Sequence, residues 1–332
     1  MTDVVALAAE LVALDTTTGA EASAVDFIVR RLVDRGWNVT IQEVTPGRGN
    51  VWASRGKGAI TLSTHVDTVP PFIRPTLEKN RLYGRGACDA KGIAASMLAA
   101  ADALVDSGEN RIDLLFVVGE EKGSDGARMA NNLPATSRFL INGEPTESTL
   151  ASGAKGSLRV TLRTRGKAAH SAYPHLGQSA LEPMLDLLPG LRGVPLPTDP
   201  ILGDSTVNIG TLRAGTEANV IPDSAEAEIM FRLVGDVEEV KRRFEKWLAG
   251  RAAFEYGSYI PSQRFHVIPG FKSGPVAYTS DIPLLSRWGT PLLFGPGSIH
   301  VAHTDSEHVD IPELRNSVDA YVRIVRTLLA NL

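Results

Sequence analysis

The sequence predicts an α/β protein: a mixed sheet with helices on both faces, interrupted by a smaller inserted α+β domain. Three observations carry this. Short apolar runs bounded by turn residues alternate with helical apolar spacing from the start to residue 141. The middle of the chain then switches to period-two alternation, and the first pattern returns after His266. The expected division is 1–153 with 266–332 for the main domain and 154–265 for the insert.

The elements follow in order. Helical spacing over 3–14 has Thr2 or Asp3 as its cap, and a second helix over 21–35 is stopped by Gly36. β-rich runs occupy 38–44, 51–54 and 59–63. A helix of small residues spans 91–107, and the apolar strand 112–118 leads to a helix at 125–132 and a strand at 138–141. Within the insert, strands at 158–163, 206–212 and 225–233 and helices at 179–188 and 237–248 suggest the ferredoxin-like order β-α-β-β-α-β. The end of the chain reads as a helix at 282–287, a strand at 291–294 and a final helix at 312–330 with proline in its first turn.

Composition narrows the function classes. A net charge of -4 with interspersed signs gives no pull toward nucleic acid or acidic membranes. The single cysteine, Cys88, excludes an intrachain disulfide and fits a reducing compartment. The acidic opening Met1-Thr2-Asp3 is unlike a signal peptide, and no apolar run is long enough to span a bilayer. A cytoplasmic protein is expected.

Five segments carry chemistry. In Thr64-His65-Val66-Asp67, His65 and Asp67 share one side of an extended strand, where a carboxylate can orient an imidazole. A polar strand end would look the same. Asp89 lies in the glycine-rich turn Gly84-Arg85-Gly86-Ala87-Cys88-Asp89, ahead of the helix from Lys91. It can bridge two cations, cap that helix, or do both. Gly119-Glu120-Glu121-Lys122-Gly123 follows an apolar strand, so one glutamate can bind a cation while its neighbour handles a proton. Glu144 again follows a strand, and His303 sits in Val301-Ala302-His303-Thr304-Asp305-Ser306-Glu307 after a Gly-Pro-Gly turn. Histidines and carboxylates without clustered thiols suit zinc, cobalt or manganese.

These five segments, in this order from His65 to Glu307, resemble the di-zinc family of acetylornithine deacetylase, succinyl-diaminopimelate desuccinylase, aminoacylase and carboxypeptidase G. The resemblance implies a zinc-exopeptidase-like main domain and an insert that serves as lid or dimerisation domain. It implies two divalent metal ions, zinc first among them, with His65 and Glu144 on one, Glu121 and His303 on the other, and Asp89 between them. Asp67 would orient His65, and Glu120 would be the general base. In the insert, Gly166-Lys167-Ala168-Ala169-His170-Ser171 resembles a segment whose histidine helps polarise the scissile carbonyl, in some members from the neighbouring subunit. Asn219 and Arg232 resemble substrate-carboxylate contacts, and Ser280-Asp281 resembles a pair at the site's rim. Two departures stand out: the chain is short for the family, and Ile93 stands where many members have glycine.

The expected function is hydrolysis of the amide of a small N-acyl amino acid, with N-acetylornithine or an N-acetyl-lysine-like substrate first. The protein would work as a homodimer without nucleic-acid or membrane partners. Alternatives are a dipeptidase or carboxypeptidase, release of lysine or ornithine from an amino-group carrier protein, and a non-catalytic metal-dependent binding protein.

Overall fold

A computed structural model describes residues 2–332. They form two compact units. One comprises the chain up to Ser152 with Phe265–Gly274 and Ser280–Leu332; the other is Gly153–Arg264 with Pro275–Thr279.

The chain opens with α1 (Val4–Val12), whose N-cap Asp3 accepts from the amides of Val5 and Ala6, and α2 (Ala22–Asp34). There follow β1 (Asn38–Thr45), β2 (Arg48–Ser54), β3 (Ile60–His65), the small hairpin β4 (Thr76–Glu78) and β5 (Arg81–Tyr83), then α3 (Lys91–Asp106), β6 (Ile112–Val117), α4 (Asp125–Ala130) and β7 (Phe139–Asn142). After β8 (Leu150–Ala154) come β9 (Gly156–Arg165), α5 (Leu181–Leu187), the two-residue pair β10 (Thr198–Asp199) and β11 (Gly203–Asp204), β12 (Thr206–Ala214), β13 (Ser224–Leu233), α6 (Val237–Leu248) and β14 (Ala253–Ile260). The chain closes with β15 (Gln263–Arg264), β16 (Ser273–Val276), β17 (Thr290–Leu293), β18 (His308–Asp310) and α7 (Ile311–Ala330).

The first unit is built on a six-stranded sheet of order β1-β2-β6-β3-β7-β17. The strands β6, β3, β7 and β17 run parallel, whereas β1 and β2 join antiparallel. Burial on both faces explains why β6 is apolar at every position but Asp113. Its Leu114 and Phe116 enter the core that holds Leu11 of α1, Ile28 of α2, Ile93 of α3 and Tyr321 of α7. The alternate Leu115 and Val117 pack with Ala127 and Ala130 of α4 and with Leu285 and Trp288. The helices therefore lie on both faces, with small residues letting α3 sit deep in the main core.

The second unit is a four-stranded antiparallel sheet of order β12-β13-β9-β14, with α5 and α6 contributing to its core. The chain order β9-α5-β12-β13-α6-β14 and this strand order give the ferredoxin-like topology. Its fourth strand, β14, is mostly exposed, which weakens the alternation that a sequence reading needs.

One expected element is corrected. No helix spans 282–287; Ile282–Leu284 is a single 3-10 turn. Amides of Leu284, Leu285 and Trp288 bond three residues back, to Asp281, Ile282 and Leu285. Successive 3-10 turns repeat their apolar contacts every third residue, as a helix does. The segment Pro275–Thr279, read as part of the main domain, belongs to the second unit.

Candidate metal centre

Parallel strands put their carboxyl ends on one edge, and four loops gather there. His65 is the last residue of β3, the glutamate pair follows β6, Glu144 follows β7, and the loop with His303 follows β17. His65 Nδ1 donates to the main-chain oxygen of Asp67 at 3.0 Å, which turns Nε2 toward the cluster. That Nε2 is 3.0 Å from Asp89 Oδ1. His303 Nε2 is 3.0 Å from Glu121 Oε1 and 3.3 Å from Asp89 Oδ2. Asp89 thus stands between two imidazoles, one oxygen toward each. His65, Asp89 and Glu121 each offer a ligand atom within 4.8 Å of the others.

The electrostatics call for positive charge. Burial and the nearby charge of Asp281 hold the Glu120 carboxyl well above the usual carboxylate range. Burial and Glu120 do the same to Glu144. Glu144 is 4% exposed, and its Oε1 has no hydrogen-bond partner. Hydrogen bonds to Asp89 and Glu121 raise His303 to about 10. Without cations, protons on the imidazoles offset the crowded carboxylates. A buried acceptor with nothing to accept from, beside imidazoles turned toward carboxylates, fits a set of divalent-cation ligands.

The loops are held by specific contacts. Asp67 Oδ1 accepts the amide of Glu120 at 3.0 Å, and its Oδ2 accepts that of Glu121 at 3.2 Å and the hydroxyl of Thr18 at 2.8 Å. Its carboxylate therefore organises the glutamate turn as well as the strand end. Gly119 starts that turn at φ +77°, and a Cβ there would strike the Asp125 carboxylate. Asp125 is paired to Arg48, which also binds the fully buried Glu21. Ile93 fills the space beneath Gly143 and Gly295, the glycines flanking Glu144's surroundings.

The remaining candidates lie in the second unit. Ser171 donates to the Asn219 main-chain oxygen at 2.9 Å, Ile221 donates to that of Ala169, and His170 bridges to Val220. His170 and Asn219 are thus neighbours and exposed. Arg232 is elsewhere: it lies near the end of β13, opposite Ser157 and Thr206. It is partly buried, and burial lowers its guanidinium.

Three further residues stand near the cluster, of which only Asp281 was singled out in the sequence, by its resemblance to a pair at the rim. Thr18 comes from a loop without any motif. Asp281 proves to be a buried carboxylate with an unpartnered Oδ1, pushed up to about 6 by burial. Glu307 closes the fifth segment and is fully paired with Arg85. Cys88 is buried, and burial pushes its thiol up, away from the thiolate form that nucleophilic attack needs.

Comparison with known proteins agrees with this geometry. The model of peptidase family M20/M25/M40 matches residues 61–327. A peptidase M20 domain-containing protein of Schizosaccharomyces pombe is 37% identical, over 97% of this chain and 84% of the relative. A probable carboxypeptidase of Aspergillus flavus is 36% identical, over 96% and 86%. A Bacillus subtilis structure, a dinuclear metal-binding peptidase from the M20 family, superposes with a TM-score of 0.72 at 17% identity, over 99% of this chain and 98% of that one; this likeness is one of fold. The family match runs from β3 into α7 and so takes in every loop of the cluster, and with relatives this similar along nearly their whole length, the chain belongs to peptidase family M20/M25/M40.

Proposed function

We propose that this protein is a two-metal hydrolase that cuts the amide bond releasing a terminal amino acid with a free carboxylate. The observation that carries the reading is the placement of Glu120 beside Glu121, within the cluster where Asp89 faces both His65 and His303. His65, Glu144, Glu121 and His303 would hold the ions, with Asp89 shared between them. Zinc, cobalt and manganese all suit this nitrogen and oxygen donor set. Bound there, the ions would polarise the scissile carbonyl and acidify water.

The chain's own groups do the rest. Glu120 takes a proton from the attacking water and returns it to the leaving amine; burial beside Asp281 gives its carboxylate the needed proton affinity. Asp67 fixes Glu120 through its amide. Arg232, with no carboxylate partner within its own unit, suits the substrate carboxylate. His170 and Asn219 would meet the scissile group. They sit beyond the Ser224 end of β13, whereas Arg232 is near its other end, eight residues along; at about 3.3 Å per residue the separation is roughly 25 Å. One copy cannot bring both to one small substrate, which supports a homodimer in which the partner supplies His170 and Asn219.

The carboxypeptidase name carried by a relative 36% identical to this chain favours a dipeptide or acylated-peptide substrate. Deacylation of N-acetylornithine or a similar N-acyl amino acid is the second reading, favoured by Glu144, since, in the family the sequence resembles, the branches that cut at a free N-terminus more often carry aspartate there. Turnover of N-acetylornithine, N-acyl amino acids and dipeptides with added zinc or cobalt separates the two. Glu120→Gln should retain metal and lose turnover by roughly 10²–10⁴-fold. Near-normal turnover in that variant would reject the base assignment.

A further inference from the structure

Glu307 belongs to neither ion set, yet its side chain is fully buried and every contact leads to the loop ending in Asp89. Its Oε1 accepts three main-chain amides: Gly86 at 2.8 Å, Asp89 at 3.2 Å and Cys88 at 3.3 Å. Its Oε2 takes the Arg85 guanidinium at 2.6 Å, which also donates to the main-chain oxygens of Thr304 and Pro71 at 3.2 Å. Gly84 donates to the Glu307 main-chain oxygen at 3.0 Å, and β18 pairs with β5 directly alongside. The loop is confined from behind as well. Gly86 has φ +88°, and a Cβ there would strike the stem of Lys91, whose Nζ is anchored on the main-chain oxygens of Val12 and Leu14.

Three amides converging on one oxygen form an anion nest, and here the anion belongs to the chain itself. Glu307 lies four residues after His303, and the nest ends at Asp89, so one carboxylate ties together the loops that bring both residues to the site. We propose that Glu307 is a positioning residue: held by Arg85, it fixes the 86–89 backbone so that Asp89 faces His65 and His303 before any cation arrives. This rests on the reading of Asp89 as the shared ligand. The expense of burying a charge pair, which often gains little stability over apolar packing, is consistent with a role in geometry.

The test uses the full chain with Co(II). Glu307→Gln keeps an acceptor oxygen but loses the charge that holds Arg85 and strengthens the nest. A folded Glu307→Gln protein, judged by far-ultraviolet circular dichroism, should bind Co(II) roughly tenfold to a hundredfold more weakly and show an altered visible absorption spectrum. A merely structural residue would lower the melting temperature and leave both unchanged well below it; wild-type affinity and spectrum in the variant overturn the proposal. Hydrogen exchange on the wild-type protein needs no variant. The amides of Gly86, Cys88 and Asp89 should be protected in chelator-treated protein; protection that appears only with Co(II) overturns preorganisation. A wild-type protein that takes up no Co(II) overturns the ligand reading together with this inference, whereas normal uptake by both proteins with identical spectra overturns the inference alone.

Discussion

The packing under Glu144 can be tested by a double-mutant cycle on Ile93 and Gly143. Ile93 is fully buried. A Cβ on Gly143 would run into Ile93 Cγ2, lie 2.6 Å from Met97 Cε and 3.2 Å from Thr64 Cβ. Ile93→Ala removes three carbons, about 2.4 kcal/mol of transfer energy at about 0.8 kcal/mol each. The cavity left behind brings the cost to about 3 kcal/mol, within the usual span for such truncations. Gly143→Ala overpacks the same spot and should cost about 1–2 kcal/mol, since Met97 can swing but Ile93 cannot. Together the changes should cost about 2–3 kcal/mol, because the new methyl enters the space Ile93 vacates; the coupling is then about 2 kcal/mol. Urea unfolding of chelator-treated protein measures this without a metal contribution. Costs that add to within about 0.5 kcal/mol would refute the proposed contact.

Other expectations concern the centre and one remote carboxylate. Asp67→Asn leaves a single acceptor oxygen for two amides and a hydroxyl, so turnover should fall roughly tenfold to a hundredfold while bound metal, measured by elemental analysis, stays near wild type. An unchanged kcat would remove Asp67 from the glutamate turn. Dialysis against a chelator should abolish hydrolysis and lower Tm, and Co(II) should restore both; at a thousandfold excess over Kd the stabilisation is about 4 kcal/mol. Chelated protein that remains active would sink the metal reading. Asp113 is buried, and burial raises its carboxyl from 3.8 to about 6. The folded state then binds a proton more tightly than the unfolded one, so this contribution is full below pH 3.8 and lost as pH rises through 6. Two pK units correspond to about 3 kcal/mol as an upper figure, so Asp113→Asn should be more stable than wild type at pH 8 and flatter between pH 4 and 6. Equal pH slopes for the two proteins in chemical denaturation would contradict this.

The elements most visible in the sequence were those whose burial left an unbroken or strictly periodic signal. β6 is apolar along its length except Asp113, and α6 has a capping aspartate and a polar outer face. The hairpin β4–β5 and its partner β18 are only three residues each, too short for any period to register. The candidate ligand residues stood out because carboxylates and histidines directly after apolar strands are costly without a purpose. Their mutual geometry was another matter: Glu121 and His303 are 182 positions apart, and no local spacing encodes that meeting. The same holds for Thr18 and Glu307. Each looks like an ordinary polar loop residue until the fold removes water from it. Arg232 and His170 were grouped by resemblance, and the β13 register separates them within a single copy.

The outer strand β17, followed by His303 and Glu307, comes from the last sixth of the chain, whereas β3 comes from the first fifth. A nascent polypeptide leaving the ribosome can pair β3 with β6 and β7 early, but it cannot complete the proposed ligand set until synthesis is nearly over. Contacts closing so many residues form late, after the entropy of a very long loop has been overcome. A truncated product would carry four of the five residues proposed to hold the ions and no anchor for the Asp89 turn.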